Sequence, residues 1–226
     1  MIDPRPTVFF RNSSRTLHPG KIVCVGRNYA DHVREMNAPL PEKPVLFLKP
    51  ASSIVHNGGV VRRPSFSNDL QHEVELVIAI GRSGKDIPEE KAAEFIAGYG
   101  VGLDMTLRDV QTEAKKKGLP WAVAKGFDTS APISHFAERD TVQNPDELQM
   151  SLRVNGELRQ SANTRTMIFR VNNLISYISS VFTLEAGDLI YTGTPEGVST
   201  VVPGDSIVAE LQDVGVLEIV VSGATE

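Results

Sequence analysis

The chain has 226 residues, 41% hydrophobic and 23% charged, with a net charge of −5 and a pI near 5.6. This is the composition of a globular chain long enough for one large core, and its mild acidity argues against a nucleic-acid surface. No apolar run reaches membrane-spanning length, Met1-Ile2-Asp3-Pro4 lacks the apolar stretch of a secretory signal, and the single cysteine, Cys24, excludes an internal disulfide framework. A reducing, cytoplasmic setting is expected, with Cys24 a buried, inert thiol and the Asn12-Ser13-Ser14 sequon unused.

In chain order, residues 20–25 read as a strand. Residues 28–36 read as a short helix or an ordered loop. Pro39, Pro41, Pro44 and Pro50 break up the next stretch, leave residues 45–48 as a short strand, and mark the expected boundary between a small N-terminal lobe and the main body. Residues 74–80 are β-branched and apolar, hence a strand. Side chains alternate along a strand, so Glu73 and Glu75 project from one face. A helix is expected over 88–97, opened by Pro88, Glu89 and Glu90. A strand-like run over 99–104 ends at Asp104. Gly98, Gly100 and Gly102 lack dinucleotide-fingerprint spacing and are read as allowing close backbone approach near a site.

The next helix is expected over 106–117, with Thr106-Leu107-Arg108-Asp109 at capping-box spacing. Lys115, Lys116 and Lys117 precede Gly118 and are read as helix-terminus cations, not a binding patch. Asn155-Gly156, between runs 151–154 and 157–159, signals a hairpin. Residues 168–182 form the clearest helix, with Val171, Leu174, Ile175, Ile178, Val181 and Phe182 as its buried stripe. Two strands, 206–211 and 216–221, follow Pro203-Gly204-Asp205. The class is α+β, with more sheet than helix.

Glu73 and Glu75 are neighbouring anions whose repulsion a divalent cation would offset, although a solvated sheet face gives the same pattern. With Asp104 they make three carboxylates without a nearby Cys or ligand-spaced His. An all-oxygen set suits Mg²⁺ or Mn²⁺, with Ca²⁺ possible, and disfavours Zn²⁺ or copper. Arg108 and Gln111 share a helix face one turn beyond Asp104, suited to a ligand's carboxylate and carbonyl or simply solvated. Lys125 lies in the apolar run Trp121-Ala122-Val123-Ala124-Lys125-Gly126-Phe127, where a lysine either snorkels or supplies charge to an oxyanion. Thr192-Gly193-Thr194-Pro195 offers hydroxyls and amides to an anion, or is an ordinary turn. His32 and Glu35, three residues apart, form either a general-base pair or a surface pair. The remaining histidines, His18, His56, His72 and His135, have no comparable partner in the sequence.

Taken together, Gly26-Arg27-Asn28-Tyr29-Ala30-Asp31-His32, His72-Glu73-Val74-Glu75-Leu76, Asp104-Met105-Thr106-Leu107-Arg108-Asp109-Val110-Gln111, Ala124-Lys125-Gly126-Phe127-Asp128 and Thr192-Gly193-Thr194-Pro195 resemble the fumarylacetoacetate hydrolase family in order and spacing. The resemblance spans residues 20–221 and is closest to the acylpyruvase subgroup, whose members also decarboxylate oxaloacetate. It implies a mixed β-sandwich roll with few helices, usually a homodimer. It implies a lobe and lid segment over 1–50 and a catalytic β-roll over 51–226, which can count as one domain, 1–226.

For the site, the resemblance implies Mg²⁺ or Mn²⁺ on Glu73, Glu75 and Asp104, with His32 and Glu35 as a base dyad on a mobile lid. Lys125 would be catalytic, and Arg108, Gln111 and Thr194 would surround the substrate. Some members carry a fourth carboxylate near the position of Asn28, so a three-carboxylate shell completed by water or substrate is implied here. The implied activity is hydrolysis of 3-acylpyruvates to pyruvate and a carboxylic acid, with oxaloacetate decarboxylation. Fumarylpyruvate hydrolysis, 2-oxo acid isomerisation or hydration in aromatic catabolism, and a catalytically inactive metal- or oxo-acid-binding protein are the alternatives. The implied partner is a small 2-oxo acid, with no nucleic acid and no membrane.

Overall fold

The computed structural model describes residues 6–36 and 38–224. Two kinds of strand set its architecture. Every residue of Val74–Ile80 and Ile96–Leu103 is buried, so both faces of these strands must be covered. They pair antiparallel inside a mixed sheet ordered Val45–Pro50, Lys21–Gly26, Leu189–Tyr191, Val74–Ile80, Ile96–Leu103, Ala131–Ile133, Ile54–His56. Gln149–Val154 and Ser206–Leu211 instead alternate buried with more exposed positions, as strands with one wet face do. They belong to a five-stranded sheet ordered Glu157–Asn163, Gln149–Val154, Ser206–Leu211, Gly215–Ser222, Val60–Arg62.

The two sheets share one core. Leu76, Ile78, Val101 and Leu103 meet Met150, Leu152, Ile207, Ala209 and Leu217, and the helix Val171–Val181 adds Leu174, Ile175 and Ile178. A smaller core of Ile22, Cys24, Val77, Ala79, Phe136 and Tyr191 covers the other face of the large sheet. The result is an α+β, sheet-dominated sandwich roll with few helices. Lys21–Gly26 pairs in parallel with Leu189–Tyr191 and antiparallel with Val45–Pro50, so the large sheet runs continuously across residue 50.

Several elements match the sequence reading. The Asn155-Gly156 hairpin forms, with both residues at positive φ (51° and 85°) and Val154 paired to Glu157. Gly118 closes its helix in the left-handed region at φ 65°. Others differ, each for a local reason. Residues 89–95 form a 3₁₀ helix, not an α-helix, because Ile96 is drawn into the sheet opposite Ile80. The helix expected from Thr106 begins at Arg108 without a capping box. Thr106 and Leu107 pair with Gln71 and Leu70, and Asp109 instead accepts from Ser67 Oγ and the Asn68 amide. The helix expected from residue 168 begins at Val171, because Asn28 holds the Ile168 and Phe169 amides. Val181 is 51% exposed and leaves the buried stripe.

The strand glycines serve the core and not the site. A Cβ on Gly100 would lie 2.7 Å from the ring of Phe136, and one on Gly102 would lie 2.6 Å from Val77. Gly100→Ala is therefore expected to destabilise the fold by about 1–3 kcal/mol through overpacking. Urea unfolding should show a lower midpoint at an unchanged slope. Phe136→Leu introduced into that variant should recover part of the loss.

Candidate active site and metal centre

Strand register assembles the acidic cluster. Val74 and Glu75 pair with Leu103 and Gly102, and the Asp104 amide donates to the Glu73 carbonyl at 2.8 Å. Glu73 and Asp104 thus lie side by side at the ends of neighbouring strands, and Glu75 lies two residues along on the face of Glu73. Ligand oxygens of Glu73, Glu75 and Asp104 lie within 4.8 Å of one another, and all three residues are buried.

Buried anions need partners. Lys125, at the end of the short helix Ala122–Lys125, reaches Glu73 Oε2 at 2.8 Å, Asp104 Oδ2 at 2.6 Å and Thr106 Oγ1 at 2.6 Å. It does not snorkel; its Nζ is inside the cluster. Arg108 donates to Glu73 Oε1 and to Gln111 Oε1. Lys49, fully buried on the edge strand, places Nζ 2.8 Å from Asp104 Oδ1 and donates to the backbone carbonyls of Met105, Lys125 and Ser130. Its approach to Asp104 is outside hydrogen-bond geometry, so Oδ1 has an electrostatic neighbour but no donor.

The two glutamates are driven apart electrically. Burial opposes ionisation of Glu73, but Lys125 and Arg108 override it and hold its carboxyl well below the usual range. Burial, Asp104 and Glu73 all push Glu75 well above the usual range, against a 2.7 Å hydrogen bond from the Gly193 amide. Burial works against the charge of Lys125, yet Asp104 and Glu73 raise its pKa. A buried, all-oxygen donor set in which Asp104 Oδ1 is buried without a hydrogen-bond donor fits a hard divalent cation of the Mg²⁺ or Mn²⁺ kind.

One cavity of about 260 Å³ gathers the expected residues: His32, Glu73, Glu75, Asp104, Arg108, Gln111, Lys125 and Thr194 all line it. Glu35 stands behind His32. Its Oε2 lies 3.1 Å from His32 Nδ1, and its Oε1 accepts from the Gly197 amide at 3.1 Å. With Nδ1 turned to the carboxylate, Nε2 is the nitrogen left to exchange a proton. Asn28 bonds away from the acidic cluster, its Oδ1 accepting from the Phe169 amide. Its amide is spent on the carbonyls of Phe169 and Thr192.

The structure corrects the reading of the Thr192–Pro195 turn. The Gly193 amide holds Glu75, and the Thr192 hydroxyl donates to the Leu76 carbonyl, which leaves Thr194 as the hydroxyl facing the cavity. His72, read as unpartnered, is buried between Gln160 Oε1 and Ser199 Oγ, each at 2.9 Å. Lys115 is more than a helix-terminus cation, for it lines the cavity with Arg27, Phe47 and Trp121. The periodicity of positions 108, 111 and 115 on one helix face carried that signal. Arg27, at φ 62°, and Lys49 offered none in the sequence.

A family model for the fumarylacetoacetate hydrolase C-terminal region matches residues 21–222. The chain belongs to the fumarylacetoacetate hydrolase family. It is 51% identical over 193 residues to the mitochondrial oxaloacetate tautomerase FAHD1 of Rattus norvegicus, covering 85% of this chain and 87% of the relative. The corresponding Arabidopsis thaliana protein is 53% identical over 189 residues, covering 84% and 85%. Among solved structures, fumarylpyruvate hydrolase from Pseudomonas aeruginosa, in complex with Mn²⁺ and pyruvate, superposes with a TM-score of 0.95 at 39% identity, covering 99% of this chain and 98% of that one. This family fold is the sandwich roll described above.

The raised Glu75 carboxyl has a measurable consequence. In the metal-free protein the folded state binds a proton at Glu75 that the unfolded chain has released above its ordinary pKa of 4.5. Stability from this group is therefore full below 4.5 and is lost as pH rises toward the elevated folded value. Glu73 has the opposite sign, its contribution being lost as pH falls below 4.5. Urea melts of the chelated protein should show stability falling as pH rises from 5 to neutrality, a pH slope that Glu75→Gln removes. Saturating Mg²⁺ should oppose the decline, because the cation binds the deprotonated carboxylate. An identical slope in Glu75→Gln would remove Glu75 as its source.

Proposed function

We propose that the chain is a divalent-metal-dependent enzyme that cleaves the C–C bond of 3-acylpyruvates to give pyruvate and a carboxylic acid, and that it also acts on oxaloacetate. The observation carrying this reading is that one cavity holds the Glu73, Glu75 and Asp104 carboxylates together with His32 of the His32–Glu35 pair. Mere binding of an oxo acid needs no general base. A cation held by those three carboxylates would supply Lewis acidity toward the keto and carboxylate oxygens of a 2-oxo acid.

The protein groups then divide the work. Arg108, Gln111 and Thr194 orient the oxo-acid end. His32 Nε2 takes a proton from water while Glu35 stabilises the imidazolium, and the hydroxide adds to the distal acyl carbonyl. The bond from that carbon to the methylene breaks, its electron pair passing into the enolate of pyruvate. The enolate carbon recovers the proton from His32, and the Lys125 ammonium stabilises the charge as it develops. Oxaloacetate loses CO₂ to the same enolate without water. The same imidazole is suited to moving a proton between C3 and the enol oxygen of oxaloacetate, the tautomerisation for which the FAHD1 relatives are named.

The cavity favours substrates with a second carboxylate. Burial, Arg108 and Arg27 all lower the pKa of Lys115, so three cations crowd one another beside the acidic cluster. A distal carboxylate would relieve that repulsion. This supports oxaloacetate and fumarylpyruvate as substrates over acetylpyruvate.

The helix Ala30–Glu35 is read as a lid carrying His32, tied at its far end to Gly197 through Glu35. The lone buried Cys24 suits a reducing compartment such as the cytoplasm, although the FAHD1 relatives are named as mitochondrial. No helix among the described residues is long and apolar enough to cross a membrane. A homodimer is supported by an apolar surface running from Leu48 on the edge strand Val45–Pro50 to Leu119 and to Val123 on the helix Ala122–Lys125, which are 46%, 54% and 58% exposed.

Chelation with EDTA should abolish pyruvate release and Mg²⁺ or Mn²⁺ should restore it. His32→Ala should slow acylpyruvate cleavage by about 10²- to 10⁴-fold while reducing oxaloacetate decarboxylation less. Lys125→Ala should damage both reactions. Equal losses in both for His32→Ala would count against water activation as its role. Lys115→Ala should raise KM for oxaloacetate and fumarylpyruvate at least several-fold more than for acetylpyruvate, the loss of a charge-assisted contact. A uniform change across the three substrates would place the distal carboxylate elsewhere. Light scattering should give twice the monomer mass, shifting toward monomer in Leu119→Glu with Val123→Glu.

A further inference from the structure

Gln160 reaches from the five-stranded sheet to Thr194, which lines the cavity, and is 1% exposed. Its side chain makes four hydrogen bonds. Nε2 donates to Thr194 Oγ1 and to the Pro195 carbonyl, both at 2.9 Å. Oε1 accepts from the Val74 amide at 3.1 Å and from His72 Nδ1 at 2.9 Å. Two backbone groups fix the direction of this amide. Turned over, it would set oxygen against the Pro195 carbonyl and nitrogen against the Val74 N–H, two mismatches in a buried site.

The direction has a consequence one residue further on. Thr194 Oγ1 receives the Gln160 proton, so its own O–H must point elsewhere. Thr194 is 3% exposed and lines the cavity, and Gln160 is its hydroxyl's hydrogen-bond partner among the described residues. We propose that Gln160 is a positioning residue that fixes the polarity of Thr194, committing its hydroxyl to donate into the cavity, so that the site selects a hydrogen-bond-accepting oxygen of the substrate at that point. This rests on the reading that Thr194 contacts the oxo acid, and it adds the group that decides which way that contact runs.

Oxalate, a flat dianion resembling the enolate of pyruvate, is the probe. Its Kd is measured by calorimetry on the Mn²⁺-loaded protein, and the Mn²⁺ Kd is measured alone on each variant. Thr194→Val should weaken oxalate about tenfold or more, the loss of one hydrogen bond to a charged acceptor, and Thr194→Ser should restore most of it. Gln160→Met should weaken oxalate by a similar factor with Mn²⁺ affinity unchanged. The Gln160→Met, Thr194→Val double variant should be no weaker than Thr194→Val alone, because the two act through one hydroxyl.

Additive losses in the double variant overturn the inference. So does a parallel loss of Mn²⁺ affinity in Gln160→Met, which would mean that Gln160 merely props the metal strand through Val74. Wild-type oxalate binding in Thr194→Val overturns the contact at Thr194 and this inference with it. A weakened Thr194→Val beside an unaffected Gln160→Met overturns this inference alone. Should Gln160→Met fail to fold, Gln160→Glu gives the same readout with the polarity reversed. Its carboxylate would accept the Thr194 proton, and unchanged oxalate binding there would equally overturn the inference.

Discussion

The structure depends on balancing three buried carboxylates against three cations brought from different parts of the chain. Glu73, Glu75 and Asp104 come from adjacent strand ends, Lys125 and Arg108 from the helices that follow, and Lys49 from the sheet edge. Charges this deep are stable only when each has a partner, so the cluster constrains the register of the strands and the docking of the helices. The balance is uneven. Glu73 is flanked by two cations, whereas Glu75 has a backbone amide and two anionic neighbours. That unevenness marks Glu75 as the carboxylate whose charge is most poorly compensated by the protein alone.

The second sheet acts as more than a cover for the core. Through Gln160 it is stitched to the strand bearing the carboxylates and to the turn bearing Thr194. The same loop continues to Gly197, whose amide fixes Glu35. Gly197 sits at φ 93° against the Arg159 carbonyl, so close that a Cβ there would lie 2.2 Å from that oxygen. One loop therefore carries the cavity-facing Thr194 hydroxyl, the amide on Glu75 and the amide that anchors Glu35, braced from behind by the strand Glu157–Asn163.

Much of this was legible in the sequence because it is local. Alternation placed Glu73 and Glu75 together, helical spacing placed Arg108 beside Gln111 and His32 beside Glu35, and Asn155-Gly156 declared its turn. The misreadings share a physical cause, which is tertiary pairing overriding local preference. Ile96 and Thr106 have helical surroundings in sequence but are claimed by strands, and Asn28 delays the helix at Val171 by taking amides 140 and 141 residues away. Lys49, Gln160 and the partners of His72 have no local signature at all. Their roles exist only once distant strands are in register.

The parallel pairing of Lys21–Gly26 with Leu189–Tyr191 bears on how the molecule is made. During synthesis the strand Lys21–Gly26 can pair early with Val45–Pro50, but its other neighbour lies 167 residues further along the chain, with Leu189 opposite Ile22 and Tyr191 opposite Cys24. Until then its open edge is exposed, and Glu75 lacks the amide of Gly193. Completion of the acidic cluster is thus a late event in biogenesis, set by topology: Glu75 gains its backbone donor only after the chain has been made past Gly193.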